Sequence, residues 1–371
     1  MKIAVLTSSR ADYGIYLPLL KRLKADADIQ LSIIAFGTHL KAQFGKTIDQ
    51  IKNDGYTITK QIDNLKYGDN PQDIALNYAY TTKLFAELWN DTSYNYVICL
   101  GDRYEMAAAV NAGIPFGVKF VHIHAGETSE GAIDNIYRDQ ISLASTLHFV
   151  AIESFTKRIK ALTKKKNTSH FCGAIGLENI NGVKLLSKKE FYAKWQIDLK
   201  LPTILMTVHP ETIDPTANHS HIEELKTALI ILLERSQVLV TMPNADTLGS
   251  MYRTMFKKLK DKYPIKLFLV ENLGTQSYFT AMKYCKLLIG NTSSGIIEAA
   301  SFKKFVINLG NRQLGRSHGE NVIHVPFDCK KIISKAMIYF DSIYTGPNIY
   351  ERKNGSAQII KILKDKLNGI S

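Results

Sequence analysis

The sequence contains little cysteine and no long run of apolar residues. Its four cysteines are scattered without a Cys-x-x-Cys pair, which argues against a disulfide framework or a zinc site and favours packing in a reducing compartment. No apolar stretch approaches the roughly 20 residues that a membrane-spanning helix needs. Residues 1–14 hold too short an apolar segment for a signal peptide. We therefore predict a cytoplasmic protein without a membrane partner.

Acidic residues are in the minority. The chain has 47 lysines and arginines against 34 aspartates and glutamates, a formal net charge of +13. A basic balance favours anionic partners, which are nucleic acids, membrane surfaces or phosphorylated small molecules. The lysines are spread along the chain, and the densest run, at residues 164–166, accompanies no zinc-finger, helix-turn-helix or RNA-recognition pattern. We therefore predict no nucleic-acid partner, and a negatively charged small substrate is compatible with the charge.

Strand and helix patterns alternate along the whole chain, which is typical of parallel α/β proteins. With 371 residues, 45% of them hydrophobic, the chain is long enough for two domains. Glycines at 173 and 176, followed by polar residues, mark a crossover between them. We predict an α/β fold of two doubly wound domains, residues 1–176 and 177–355, with a cleft between them. The pattern also predicts a strand over residues 120–124, a helix over 13–25 and a polar loop over 310–320.

Polar side chains are concentrated just after the predicted strand at 120–124. His124, Glu127, Asp134 and Arg138 follow one another there, and Asp102 follows the preceding strand. Open α/β sheets place their chemistry at the carboxyl ends of strands, and neighbouring strands bring these residues to one edge. Carboxylates that lie together in a cleft raise one another's pKa values and can serve as acid and base. The sequence therefore predicts a catalytic site at this edge.

Two motifs in the second half suit a phosphorylated ligand. The strand–turn–helix at residues 290–298 places Thr292, Ser293, Ser294 and several N–H groups at a helix start, as a diphosphate requires. Glu298, one turn on, can accept hydrogen bonds from a ribose diol. The alternative, an N-cap serine with an exposed glutamate, explains less of the cluster. His209 is held at a strand tip by the following proline, where it can contact phosphate or protonate a leaving group.

Two further polar segments have ordinary structural explanations. Residues 8–14 join the first strand to the first helix, and their N–H groups and Arg10 suit an anion. Simple capping by Ser9 or Asp12 explains the same loop, and both readings stay open. The pair His219 and His221 lies in a predicted polar loop with no third ligand nearby, so we predict no metal site.

In combination these motifs resemble the hydrolysing UDP-N-acetylglucosamine 2-epimerases of bacterial sialic acid synthesis. The shared motifs, found in the same order from residue 1 to about residue 325, are SSRADYG, GDRYE, HIHAGE with the following Asp and Arg, HPET, PNAD, GNTSSGIIEA and NLGNRQLGR. The resemblance implies a GT-B fold of two Rossmann-like domains, with UDP bound mainly by the second. It also implies a last helix, at residues 356–371, that packs back on the first domain, and a homodimer.

The resemblance further implies a reaction. A base removes the C2 proton of the sugar while UDP leaves C1, and water then adds to the resulting 2-acetamidoglucal to give N-acetylmannosamine; no metal or other cofactor is needed. By motif, the carboxylates and cations near the sugar and diphosphate are Asp102, Glu127, Asp134, Arg138 and His209. The positions that contact UDP are, again by motif, Arg10, Arg103, Asn244, Thr292, Ser293, Glu298 and Arg312.

One departure from the family pattern concerns the base. Many members read HIEGGE, and the first glutamate of that motif is a proposed catalytic group, whereas His124 stands there in this chain. A neutral imidazole can act as the base with a different pKa, and Glu127 can also take over; both possibilities stay open. The substitution also leaves open a sister substrate, UDP-2,4-diacetamido-2,4,6-trideoxyglucose of legionaminic acid synthesis. A non-hydrolysing epimerase, a GT-B glycosyltransferase and a UDP-sugar-binding protein without turnover are less favoured.

Overall fold

The computed structural model describes residues 1–42, 45–68, 70–128, 133–211, 214, 216–243 and 249–369. The chain divides into two compact units. Unit 1 consists of Met1–Glu127, Asp134–Asn179 and Tyr350–Ser371, and unit 2 consists of Thr128–Ile133 and Ile180–Ile349. The chain therefore leaves unit 1 at Asn179 and returns to it at Tyr350.

Unit 1 is built on a parallel sheet of seven strands. In chain order these are β1 (Lys2–Thr7), β2 (Gln30–Phe36), β3 (Ile58–Ile62), β4 (Tyr96–Leu100), β5 (Phe120–Ile123), β6 (Ser145–Val150) and β7 (Ser169–Phe171). They lie in the order β3-β2-β1-β4-β5-β6-β7. Strands β1, β4 and β5 are buried almost throughout, as expected for a parallel sheet covered by helices on both faces.

The helices of unit 1 alternate with its strands, as predicted. They are α1 (Arg10–Ala25), α2 (Ile48–Asn53), α3 (Pro71–Asp91), α4 (Tyr104–Ala112), α5 (Asp134–Ala144) and α6 (Phe155–Thr163), and the short α7 (Glu178–Gly182) crosses into unit 2. Helix α1 starts three residues before the predicted Tyr13. The reason is a capping box, in which Ser9 and Asp12 bind each other's backbone N–H groups.

Among its described residues, unit 2 repeats the plan with six strands and six helices. The strands are β8 (Thr203–Thr207), β9 (Gln237–Thr241), β10 (Leu267–Val270), β11 (Leu287–Gly290), β12 (Val306–Leu309) and β13 (Val322–Val325). The helices are α8 (Lys188–Trp195), α9 (Asn218–Arg235), α10 (Gly249–Lys262), α11 (Gly274–Tyr284), α12 (Ser293–Ile297) and α13 (Cys329–Tyr339). The strand order β10-β9-β8-β11-β12-β13 is that of dinucleotide-binding folds.

Two features of unit 2 differ from the sequence predictions. Strand β13 was not predicted, because its four residues follow a long polar loop and alternate only weakly; it is defined by parallel pairing with β12. His219 and His221 lie in α9 rather than in a polar loop. The ring of His221 stacks on Phe327, with the ring centroids 4.2 Å apart.

The last helix, α14 (Gly355–Leu367), belongs to unit 1. Its apolar residues Ile359, Ile360 and Leu363 join the core that α1 and the sheet form. The Lys364 ammonium group donates to the Asp26 carboxylate at 2.8 Å, and Ser356 binds the Arg22 side chain. The chain end thus completes the outer layer of the unit in which the chain begins.

Both units are doubly wound, Rossmann-like α/β units, so the predicted fold class is confirmed. Over the described part of the chain, none of the helices combines the length and the apolar character that a bilayer crossing demands.

Candidate active site

The polar edge of unit 1 lies where β4 and β5 end side by side. Leu100 pairs with Ile123 across these strands, so Asp102 and His124 follow at the same edge. The strand ends at Ile123, one residue earlier than predicted. His124 has a left-handed backbone with φ +62°, and Gly126 follows with φ +76°. These two left-handed residues turn the chain back sharply.

The turn brings Glu127 against the imidazole of His124. Their Nδ1 and Oε1 atoms are 2.5 Å apart, and the side chains are only 7% and 0% exposed. An ionised carboxylate only accepts, so Nδ1–H is the donor, and in the neutral ring Nε2 then carries the lone pair. Nε2 is buried and has no hydrogen-bond partner among the described residues.

Arg138 connects this turn to Asp102. One guanidinium nitrogen, Nη1, donates to the carbonyl oxygen of His124 at 2.7 Å. The other, Nη2, donates to Asp102 in an ion pair whose arginine is 3% exposed and whose aspartate is 26% exposed. The structure therefore brings Asp102, His124, Glu127 and Arg138 together. Asp134, half-buried, is the first residue of α5, one turn before Arg138.

The first histidine of the HIHAGE motif, His122, has a structural role that the sequence did not indicate. It is fully buried, its Nε2–H donates to the carbonyl of Gly101 at 2.8 Å, and its Nδ1 accepts from Ser142. Burial lowers the pKa of His122 well below its usual range, so the ring is neutral. His122 thereby holds the backbone of Gly101, the residue that precedes Asp102.

The loop between β1 and α1 is occupied by its own capping interactions. The Asp12 carboxylate accepts from the backbone N–H groups of Ser8 and Ser9, at 2.7 and 3.1 Å. Capping therefore accounts for these two donors, and they are not free for an anion. Arg10 is the half-buried first residue of α1, and Arg103 pairs with the buried carboxylate of Glu105.

The strand tips of unit 2 form a second polar cluster, at the point where the strand order reverses between β8 and β11. The side chain of Asn291 holds the backbone of His209 by two hydrogen bonds. Its Oδ1 accepts from the His209 N–H at 2.7 Å, and its Nδ2 donates to the His209 carbonyl at 2.8 Å. The Asn291 carbonyl in turn accepts from Gln313 at 2.8 Å and from Arg312 at 3.4 Å. Sequence reasoning missed Asn291 and Gln313, although both lie inside the motifs.

Glu211, two residues after His209, holds the loop that carries Arg312. Its buried carboxylate accepts from the backbone N–H of Asn311 at 2.5 Å. The side chain of Asn218 binds the N–H and the carbonyl of Glu211 at 3.0 and 2.9 Å. The sequence held no local signal for this role, since Glu211 and Asn311 are far apart along the chain.

The turn after β11 caps a short helix and shields an acid. Thr292 is the N-cap of α12, and its hydroxyl accepts from the backbone N–H of Ser294 at 3.4 Å; Ser293 begins the helix. Glu298 is half-buried, but its Oε2 atom is shielded from solvent. Burial raises the pKa of Glu298 to about 7, against smaller opposing effects of Ser294 and Arg316. The alternative of an exposed glutamate is therefore wrong.

Asn244, another predicted UDP contact, lies outside the described residues.

Two Rossmann-like units make up a GT-B-like fold, and solved structures share this fold. The crystal structure of UDP-GlcNAc 2-epimerase from Neisseria meningitidis bound to UDP-GlcNAc matches with a TM-score of 0.81 and 16% identity. The match covers 98% of this chain and 100% of that one.

Sequence comparison then gives the family. A family model described as UDP-N-acetylglucosamine 2-epimerase matches residues 21–364. Polysialic acid biosynthesis protein P7 of Escherichia coli is 30% identical over 369 residues, 98% of this chain and 94% of that protein. The hydrolysing GDP/UDP-N,N'-diacetylbacillosamine 2-epimerase of Campylobacter jejuni is 33% identical over 324 residues, 87% of this chain and 83% of that protein. The chain belongs to the UDP-N-acetylglucosamine 2-epimerase family, which confirms the resemblance.

Proposed function

We propose that this protein is a hydrolysing UDP-N-acetylglucosamine 2-epimerase that releases N-acetylmannosamine and UDP for sialic acid synthesis. The observation that carries the proposal is the buried acid–base cluster of Asp102, His124, Glu127 and Arg138 at one strand edge. A protein that only bound a UDP-sugar would not need these groups desolvated and paired. Family membership and the hydrolysing relative from Campylobacter jejuni support the reaction type.

The reaction needs a base at C2 and stabilisation of the departing diphosphate. Removal of the C2 proton leaves its electron pair in a C1–C2 double bond while the C1–O bond breaks and UDP departs with its electrons. Water then adds its oxygen to C1 and a proton to C2, on the face that gives the manno configuration. General acid–base groups contribute about 10²–10⁴-fold to such steps.

The two units divide these tasks in our proposal. The side chains that bind the sugar and act on it come from unit 1 and are Asp102, His124, Glu127, Asp134 and Arg138. In unit 2, His209 protonates or binds the leaving diphosphate, which its fixed backbone suits. The remaining UDP contacts in the proposal are Arg10, Arg103, Asn244, Thr292, Ser293, Ser294, Glu298 and Arg312.

Proton NMR in D2O tests the reaction. With UDP-N-acetylglucosamine as substrate, we expect free UDP and N-acetylmannosamine that carries deuterium at C2. Formation of UDP-N-acetylmannosamine would instead identify a non-hydrolysing epimerase. Absence of turnover would reject UDP-N-acetylglucosamine as the substrate, and the same assay is then run with the second candidate.

The second candidate is UDP-N,N'-diacetylbacillosamine, the 2,4-diacetamido-2,4,6-trideoxy sugar. It is favoured by the name of the Campylobacter jejuni relative, which is 33% identical to this chain. The chemistry at C1 and C2 is the same for both substrates, so the acid–base cluster does not distinguish them. Competition between the two substrates in one NMR tube gives the ratio of their kcat/KM values directly.

Glu298 provides a test of the nucleotide site. If its carboxylate accepts from the ribose hydroxyls, Glu298→Gln should weaken UDP binding by about tenfold or more, as loss of a charged hydrogen-bond acceptor does. Because the folded-state pKa of about 7 lies above the value in the unfolded chain, the folded protein binds more protons between pH 4.5 and 7. Stability is therefore lost as the pH rises through this window, and the glutamine variant should not show this loss.

Calorimetry with UDP and denaturant unfolding at pH 5 and pH 8 measure both effects. Glu234→Gln, at an exposed position of α9, is the matched control and should change neither quantity. Unchanged UDP affinity in Glu298→Gln would reject the ribose role, whereas an unchanged pH dependence of stability would reject the burial argument.

We also propose a cytoplasmic homodimer. The resemblance implies a dimer, and unit 1 exposes large apolar side chains on α5 that an interface would cover. Ile136 and Leu143, seven residues apart on α5, are 64% and 53% exposed. All four cysteines are free thiols, as a reducing compartment favours.

A further inference from the structure

The imidazole of His124 differs from its two neighbours in the same sheet. His122 and His148 are buried with an oxygen partner at both ring nitrogens. His124 is bound only at Nδ1, by Glu127, and its buried Nε2 has no partner among the described residues. Buried polar atoms without a partner cost free energy and are rare. The described residues therefore leave one ring nitrogen of His124 able to accept a proton from a ligand.

The backbone of His124 points to the same conclusion. A left-handed conformation is uncommon for a residue other than glycine and is held here by the Arg138 hydrogen bond to the His124 carbonyl. Strained residues that the surroundings hold in place cluster at functional sites. Gly126 is required for the turn, because a Cβ atom there would lie 3.0 Å from Ile159 and 3.1 Å from the Phe155 carbonyl. The strain thus serves to bring the Glu127 carboxylate onto Nδ1.

The charged groups around His124 come from three elements. Glu127 lies on its own loop, the Arg138 guanidinium comes from α5, and Asp102 follows β4. His122, on β5, is neutral, and α6 presents the apolar side chain of Ile159. Arg138 is paired with Asp102, so Glu127 is the anion in direct contact with the ring.

We propose that Nε2 of His124 is the base that accepts the C2 proton, and that Glu127 is a positioning residue that orients the ring and stabilises the imidazolium. This inference rests on the proposed function. In the step, the C2–H bond breaks, its proton forms a bond to Nε2, and the electron pair becomes the C1–C2 double bond as UDP leaves with the C1–O pair.

Proton transfer changes the net charge of the His124–Glu127 pair from one negative charge to none. A glutamate at position 124, beside Glu127, would change the pair from two negative charges to one. The surrounding Arg138–Asp102 ion pair therefore experiences the same change in charge with either base, but a different total charge.

Three substitutions separate the two residues' roles. His124→Gln should lower kcat by about 10²–10⁴-fold, the usual contribution of a general base. Glu127→Gln keeps an acceptor for Nδ1–H and loses only the charge, so kcat should fall by about 10–100-fold with KM little changed. The double variant should be no slower than His124→Gln, because the residues act as one unit.

The pH profile of kcat/KM supplies a readout that a merely structural role would not move. The acid limb reports protonation of the base. Glu127→Gln removes the anion that stabilises the protonated ring, so its acid limb should lie at lower pH than that of the unsubstituted enzyme. His124→Glu, which restores the family residue, should retain turnover, because a carboxylate can also accept the C2 proton.

The control is His219→Gln on α9 of unit 2, which should leave kcat and the pH profile unchanged. The proposal would be overturned if the kcat of Glu127→Gln were as low as that of His124→Gln and its kcat/KM profile had no acid limb. That result would show that Glu127 is the base. Near-normal turnover of His124→Gln would overturn the proposal as well. These outcomes can be distinguished from a failure of the proposed function. If that function is wrong, the unsubstituted enzyme releases UDP from neither candidate substrate.

A second measurement is independent of turnover. Histidine labelled with ¹⁵N should show a neutral ring protonated at Nδ1 for the signal that disappears in His124→Gln. Protonation at Nε2 instead would contradict the donor role of Nδ1 toward Glu127 and reject the proposed base.

Discussion

Asp102→Asn is expected to reduce turnover by about 10²–10⁴-fold while UDP binding stays unchanged. The substitution keeps the size of the side chain and an acceptor for Arg138 Nη2, but it removes the negative charge. Arg138 is 3% exposed and then has no carboxylate opposite its guanidinium. A buried cation without its anion perturbs the base that it holds through the His124 carbonyl.

The same change should also lower stability, and the size of that loss is informative. Breaking a fully buried ion pair from one side costs about 3–5 kcal/mol. Asp102 is 26% exposed, so solvent screens part of the interaction and a smaller loss is expected. Turnover measured well below the unfolding midpoint of the variant then separates the catalytic effect from unfolding.

Asp139→Asn is the matched control for this experiment. Asp139 lies on the same helix, α5, and pairs with Arg158 through two contacts of 2.8 and 2.9 Å. Asp139 and Arg158 are each 30% exposed, so the loss should be about 1 kcal/mol or less, with normal turnover. If Asp102→Asn behaves like Asp139→Asn, the catalytic assignment of Asp102 is wrong.

Gly290→Ala is expected to destabilise unit 2 by about 3 kcal/mol or more. Gly290 ends β11 with φ +150°, a conformation that side-chain-bearing residues rarely adopt. A Cβ atom there would lie 1.9 Å from the carbonyl oxygen of Thr207 on β8. The two strands must separate, and the next hydrogen bond, from Asn291 N–H to the Thr207 carbonyl at 3.0 Å, is then strained or lost.

The consequence reaches the proposed nucleotide site. Asn291 holds His209, Arg312 and Gln313, so a shift of its backbone moves all three. We expect UDP affinity to fall together with stability, as measured by calorimetry and denaturant unfolding. Gly182→Ala is the control, because no heavy atom lies within 4 Å of the added Cβ; it should change stability by about 0.5 kcal/mol or less. Unchanged UDP affinity in Gly290→Ala would contradict the proposed coupling.

Much of the fold follows from periodicity, because buried parallel strands are short apolar runs. The strand predicted at residues 120–124 matches β5 to within one residue for this reason. The start of α1 was predicted less well: the helix begins three residues earlier than predicted, since a polar capping turn does not show an apolar period. The edge strand β13 was missed because its identity depends on pairing with β12, a contact between distant segments.

For the candidate site, too, the sequence predicted the region but not the contacts between distant residues. Motif position placed Asp102, His124, Glu127 and Arg138 in one region, because parallel strand ends coincide. It did not show that His124 is left-handed or that Glu127 contacts its Nδ1, since these depend on three-dimensional packing of α5 and α6 against the turn. The hydrogen bonds that Asn291 and Glu211 make to residues far away in the sequence could not be predicted for the same reason.

The return of α14 to unit 1 has a consequence for biosynthesis. Ile359, Ile360 and Leu363 belong to the core that also contains Ile3 and Val5. A ribosome makes β1 before α14, so the core lacks the apolar side chains of α14 until residue 363 has emerged. All of unit 2 is synthesised in the interval. The unit that is begun first is therefore completed last, and until then the apolar face of α1 that α14 covers is open to water or to chaperones.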